Sequence, residues 1–270
     1  MHRTHALLAA VVMTAALAAP AAAAEPATRY IALGDSLAWG DGASDPTTTA
    51  YVPLLEDYFA GTSHAGAKQM FNLAIRGETT GSFIERELAP AAALIDDPTT
   101  DTRVVTISIG GNDLLNLINE PDDPCVVDFG SATCQALLAS GMSGVQANLP
   151  IIIGTLQAAL DRDPGPEKMF VLLPYNAFSG TGSPFEPIVA GGLRGADGVV
   201  DCSALGNVAN VGLDDIIGCT AATMGAIPVD SYPDFEGRGL ELTHIGEGFN
   251  IHPNDAGYAL IAKAHRIANR

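Results

Sequence analysis

Four residues far apart in the chain are of the types that acyl transfer needs. Ser36 stands in Gly34-Asp35-Ser36-Leu37, directly after an apolar run at 30–33. Gly77 lies in the polar stretch 72–80, Asn112 in Gly110-Gly111-Asn112-Asp113, and His252 in Ile251-His252-Pro253-Asn254-Asp255. A serine hydroxyl is a weak nucleophile until a base accepts its proton, and histidine titrates in the useful range. Attack on an ester carbonyl creates an oxyanion that preorganised donors must stabilise. Ser36 and Gly77 offer backbone N–H groups, the latter with no Cβ to block close approach, and Asn112 offers a side-chain amide.

In order and local context these residues resemble the Ser, Gly, Asn and His markers of the SGNH family, also called GDSL hydrolases or GDSL esterase/lipases. Gly-Asp-Ser-Leu, Gly-Gly-Asn-Asp and His-Pro-Asn each stand in their expected block, and the markers run across most of the chain. The resemblance implies an α/β protein: a flavodoxin-like three-layer α/β/α sandwich with a five-stranded parallel sheet. It implies carboxylic ester hydrolysis through an acyl-enzyme, with Ser36 as nucleophile, His252 as base and an oxyanion hole from Ser36, Gly77 and Asn112. No metal and no organic cofactor is expected. The substrate expected first is a lipid or small-molecule ester; an acetylated carbohydrate comes second and a lysophospholipid or thioester third. The rival from another class is a secreted binding protein that keeps the fold without the chemistry.

The sequence departs from the family in one place. An Asp three residues before the histidine usually orients the imidazole, and here that position is Phe249. Three substitutes compete. A main-chain carbonyl of Phe249 or a neighbour would leave a Ser–His dyad, and this is the expectation taken first. The Asn250 side-chain oxygen could serve instead, without a carboxylate's charge. An acid from elsewhere, Glu247 or Asp230, is the third.

Elements must bring these pieces together. Short apolar runs at 29–33, 69–73, 103–109, 169–173 and 226–229 read as strands, and stretches at 50–60, 81–95, 144–160 and 254–268 read as helices. The alternation predicts a parallel sheet covered on both faces. A site would then form outside the carboxyl ends of the strands. The segments 121–133 and 175–206 break the alternation and are expected as irregular rim loops that shape a pocket.

Residues 1–24 read as a secretory signal peptide, with Arg3 in the n-region, an apolar stretch and Ala22-Ala23-Ala24 before Glu25. Residues 25–270 are expected to form a single exported domain, a monomer. No later stretch is expected to be long and charge-free enough to span a bilayer. With Arg3 removed, 12 basic side chains face 31 acidic ones, a net charge of −19. That balance disfavours nucleic acid and anionic membranes as partners. Four cysteines, Cys125, Cys134, Cys202 and Cys219, suggest two disulfides in an exported chain. Of three pairings, Cys125–Cys134 with Cys202–Cys219 is favoured, because each bridge would pin one irregular insertion.

Other residues have plainer readings. Asp35 is expected to tie down its turn through backbone N–H groups. Trp39 and Tyr51 are read as core or as pocket lining, and Arg76 as a solvated charge. Asp122-Asp123 and Asp214-Asp215 are taken as surface acids without enough spaced oxygens for calcium. His64, His244 and His265 are read as surface or packing residues.

Overall fold

The computed structural model describes residues 26–118, 122–162, 166–195, 198–203 and 211–270. The signal-peptide expectation lies outside them. The elements run β1 (Ala27–Gly34), α1 (Ser36–Trp39), α2 (Tyr51–Ala60), β2 (Gln69–Asn72), α3 (Thr80–Arg86), α4 (Leu88–Ile95), β3 (Thr100–Ser108), α5 (Asn112–Leu115), α6 (Pro124–Val127) and α7 (Ala132–Leu160). They continue through β4 (Lys168–Leu173), α8 (Glu186–Arg194), α9 (Leu213–Thr223), β5 (Ile227–Asp230), α10 (Tyr232–Phe235), α11 (Gly239–Leu242) and α12 (Asp255–Ala268).

The five strands form one sheet in the order β2-β1-β3-β4-β5, every pair parallel. This is the flavodoxin-like order, and its switch point lies between β1 and β3. Along β1 the side chains alternate between two cores. Ile31 and Leu33 face a layer built with α3, α4, α7 and α9, while Tyr30 and Ala32 face a layer built with α2 and α12. Both faces are therefore buried, which is why the strands read as continuous apolar runs.

Gly34 allows the switch point to close. Its φ is +112°, and a Cβ there would fall 1.9 Å from the Ser108 carbonyl oxygen. The Asp35 N–H then donates to that oxygen at 2.9 Å. Only glycine fits so close a crossing of two backbones.

All five expected strands are present, with ends that agree to within three residues. The helices differ more. The expected helix 81–95 is two helices meeting at Glu87. The helix expected from 144 begins at Ala132, where the Ser131 hydroxyl accepts from Cys134 N–H. Residues 132–160 carry no charged side chain, so α7 is long and apolar enough by length and composition to cross a membrane. That corrects the expectation that no such stretch follows the signal. Here α7 lays Val145, Leu149, Ile152 and Leu156 into the core.

The rim segments hold helices of their own, α6 and α8. Helix α9 escaped the sequence reading because most of its residues are buried, including Asp214 and Asp215, so no amphipathic period marks it. These two acids are not surface residues. Asp215 accepts from the N–H groups of Gly212 and Asp201, each at 2.7 Å, and Asp214 lies 2.9 Å from Arg194 Nε. The structure joins Cys125 to Cys134 and Cys202 to Cys219. His64 stacks on Tyr58, and His265 is buried against Tyr51 and Phe170.

Glu87, buried at the α3–α4 break, gives a test of this packing. Burial, and then the neighbouring Glu78 carboxyl, push its pKa up to about 8. The folded protein therefore holds a proton that the unfolded chain releases near its ordinary range. This contribution is intact below that range and is lost as pH rises through about 8. Glu87→Gln should remove roughly 2 kcal/mol of the stability lost between pH 6.5 and 9. Urea unfolding at the two pH values, wild type beside variant, measures it.

Candidate active site

Each expected residue sits at the carboxyl edge of the sheet. Ser36 opens the single-turn helix α1 after β1. Asp35 caps that turn, its Oδ1 accepting from Leu37 N–H and from the Ser108 hydroxyl, both at 3.0 Å. Burial pushes the Asp35 pKa up to about 7. This acid braces the turn, as its position in the sequence suggested.

His252 arrives from the far end of the chain, 2.9 Å from Ser36 Oγ through Nε2. Its segment is held on several sides. The Tyr175 hydroxyl donates to Ile251 O at 2.8 Å, the His244 N–H donates to His252 O at 3.0 Å, and Asn254 caps α12.

At Nδ1 the structure corrects the dyad expectation. The group there is the Asn250 side chain, with Oδ1 2.8 Å from Nδ1. The same Oδ1 accepts the His252 backbone N–H at 3.1 Å. A backbone N–H can only donate, so the amide oxygen is the atom facing the ring. Nδ1 must then carry the proton, and the Nε2 lone pair is left for the serine hydroxyl. Burial also lowers the His252 pKa below its ordinary value, which keeps the ring neutral near pH 7. Glu247 is occupied with His244 Nδ1 at 3.0 Å, and Asp230 pairs with Arg194.

Among the described residues, none donates a hydrogen bond to the Phe249 carbonyl. Phe249 is the one non-glycine residue with positive φ, +68°, among the described residues. Its ring is 49% exposed and packs edge-on against Phe178 and Phe185.

The expected donors lie on the neighbouring loops. Gly77 has φ +74°, and a Cβ there would meet nothing within 4 Å, so its backbone faces open space. Asn112 is the first residue of α5 rather than its cap. Its Nδ2 donates one hydrogen to Glu78 O at 3.0 Å, which leaves the second for a ligand. Asp113 ties the two loops, accepting from Thr80 N–H at 2.9 Å and the Thr80 hydroxyl at 2.6 Å. The sequence reading missed this brace, although Asp113 stands inside the Gly-Gly-Asn-Asp block.

Ser36, Asn112 and His252 open onto a cavity of about 610 Å³. Its lining is mainly apolar, with Leu115, Phe129, Leu138 and Met142 from one stretch of the chain and Val189, Leu193, Leu213 and Ile216 from another. A disulfide ties part of each stretch. Phe129 lies inside the loop closed by Cys125–Cys134, and Leu213 and Ile216 lie inside that closed by Cys202–Cys219. Trp39 and Tyr51 are not in this lining. Tyr51 is core, and Trp39 lies 44% exposed beneath the Arg76 guanidinium. Arg76 also pairs with Asp41.

The fold and the comparisons define an ester hydrolase of the α/β/α class. Residues 32–260 match the GDSL-like lipase/acylhydrolase family, and the chain belongs to it. A lipase of Streptomyces rimosus is 31% identical over 188 residues, which span 66% of this chain and 66% of that protein. The crystal structure of the lipase Lip_vut3 from a goat rumen metagenome superposes with a TM-score of 0.58 at 18% identity, covering 89% of this chain and 96% of that one. Phospholipase A1 from Streptomyces albidoflavus NA297 gives 0.57 at 22% identity, covering 88% and 98%. The two structural matches are likenesses of fold.

The Asn250 contact carries a prediction. Asn250→Ala should lower kcat by on the order of 10-fold or more with little change in KM, because the ring loses the acceptor that sets its tautomer. Asn250→Asp should raise kcat and move the acid limb of kcat/KM to higher pH, since a carboxylate favours the imidazolium. Steady-state rates against pH for both variants check the two signs.

Proposed function

We propose that the chain is an exported, lipase-type carboxylic ester hydrolase working through an acyl-enzyme at Ser36. The observation that carries the reading is the Ser36–His252–Asn250 relay at the mouth of an apolar cavity. In the reaction Ser36 Oγ attacks the ester carbonyl while its proton passes to His252 Nε2. The tetrahedral oxyanion lies against Ser36 N–H, Gly77 N–H and the free hydrogen of Asn112 Nδ2. The intermediate collapses as Nε2 returns the proton to the departing alcohol. Water, deprotonated by the same nitrogen, then releases the acid and restores the hydroxyl.

The cavity supports an apolar acyl group as substrate. Its volume is that of a small-molecule site, and its inner walls offer alkyl and aromatic side chains. An acetyl group would leave most of that surface without contact, which places the acetylated-carbohydrate reading second. The aligned hydrogen bonds from Ser36 through Asn250 argue against a binding protein without chemistry. Two disulfides fit maturation in an oxidising compartment. We take the enzyme to act as a monomer on a small-molecule or lipid ester, without metal or organic cofactor.

Ser36→Ala should abolish turnover by about 10³-fold or more, and with it labelling by an alkyl phosphonate probe, while circular dichroism stays unchanged. Turnover near wild type would end the proposal. Rates on p-nitrophenyl esters should rise from acetate to medium and long acyl chains. Leu138→Trp, which fills the cavity wall, should cut long-chain kcat/KM by about 10-fold or more and spare the acetate ester.

A further inference from the structure

An amide at Nδ1 leaves an electrostatic gap, because Asn250 orients the imidazole but brings no charge to balance the imidazolium that forms when Ser36 is deprotonated. The backbone segment that carries one half of a charged pair lies against the relay. The turn after α1 wraps it closely, with Gly40 and Asp41 N–H groups both donating to Ser36 O at 3.0 Å. At Gly42 a Cβ would meet His252 Cβ at 2.9 Å and Pro253 O at 2.5 Å, so this backbone lies against the histidine. Two further bonds clamp it. The Tyr258 hydroxyl donates to Asp41 O at 2.6 Å, and His244 Nε2 is 2.8 Å from Gly42 O.

The Asp41 side chain, 19% exposed, pairs with Arg76 Nη2, and the guanidinium covers Trp39 at 5.3 Å from the ring centroid. Arg76 directly precedes Gly77. The pair thus links the nucleophile turn to the loop that presents the oxyanion donors.

Resting on the reaction proposed above, we propose that Asp41 is the through-space counter-charge of the His252 imidazolium and that Arg76 limits its strength. The surrounding charges agree with this. Burial is the largest influence on His252 and lowers its pKa; Asp41 draws it back up, and Arg76 and His244 push it down. Other ionisable groups nearby are engaged elsewhere. Asp35 lies buried behind Ser36 with Leu37 and Ser108, Asp255 on α12 is held by Ser44 and Thr49, and Glu247 faces His244. An unopposed carboxylate would hold the base protonated to higher pH, whereas the pair supports the imidazolium and leaves the resting ring neutral. Neither residue touches a reacting atom, so both are positioning residues that act through His252.

Opposite shifts test this. Asp41→Asn removes the negative charge, favours the neutral ring and should move the acid limb of kcat/KM down by roughly 0.5–1 pH unit. Its plateau kcat should fall by about 3–10-fold, because the imidazolium loses support. Arg76→Gln should move the same limb up without lowering the plateau. In an Asn250→Asp background, where a carboxylate is supplied at Nδ1, the kcat cost of Asp41→Asn should shrink. A structural role would lower rates without moving the limbs apart. Limbs unmoved, or moved in one direction by both variants, overturn the proposal while Ser36→Ala remains inactive. Activity surviving in Ser36→Ala would overturn the underlying reaction instead.

Discussion

The contact on which the rest depends is the crossing of β1 and β3 at Gly34 and Ser108. The Ser108 carbonyl comes so close that a side chain at position 34 would overlap it, and the Asp35 N–H closes the gap with a hydrogen bond. This holds the end of β1 against β3 at the point where the connections of the sheet diverge and leave a crevice. Asp35 then fixes the turn from inside through Leu37 and the Ser108 hydroxyl. Ser36 is presented by a rigid edge rather than a loop, and Asn112, four residues past Ser108, enters the same crevice. A nucleophile needs this kind of support, since small displacements of a reacting atom are costly in rate.

The molecule builds its chemistry and its cavity by different means. The reacting edge is assembled from short, hydrogen-bonded turns at strand ends, braced across loops by Asp113 with Thr80 and by Asn112 with Glu78 O. The cavity lining combines helices α5, α7 and α9 with Phe129 and helix α8 from the two insertions, and one disulfide ties each insertion to a neighbouring helix, Cys134 on α7 and Cys219 on α9. The insertions lack the dense ladder of backbone bonds that holds the sheet. A cross-link limits the conformations open to such a segment and keeps a hydrophobic wall in place. Arg194 adds to this on α8, reaching Asp214 and Asp230 beneath the ring of Tyr232.

The chain is strongly acidic, yet the few charges near Ser36 are placed with care. Asp35 and Glu87 are buried, with pKa values pushed up mainly by desolvation to about 7 and about 8, so near neutral pH Asp35 is only partly ionised and Glu87 is largely protonated. Asp41 and Arg76 stand at the rim as a pair. His252 lies between these two environments, lowered by burial and steadied by an amide.

How much of this was legible in the sequence follows from the range of the interactions involved. Ser36, Gly77, Asn112 and His252 could be picked out because each sits in a short block with local context. The five strands could be read because a sheet buried on both faces demands continuous apolar runs. The favoured cysteine pairing followed from giving each irregular insertion one bridge. Four things required the tertiary structure: the break at Glu87, the early start of α7, the burial of Asp214-Asp215 and the group facing His252 Nδ1. Each depends on neighbours distant in the chain or on the path of a loop. Asn250 is only two residues from His252, but whether its oxygen or the Phe249 carbonyl meets the ring turns on a backbone with positive φ at Phe249. That conformation is uncommon for a bulky residue, and here the Phe249 ring packs edge-on against Phe178 and Phe185. The sequence by itself determined which residues could do the chemistry. Only the packing of remote side chains decided how the histidine is oriented and which charges surround it.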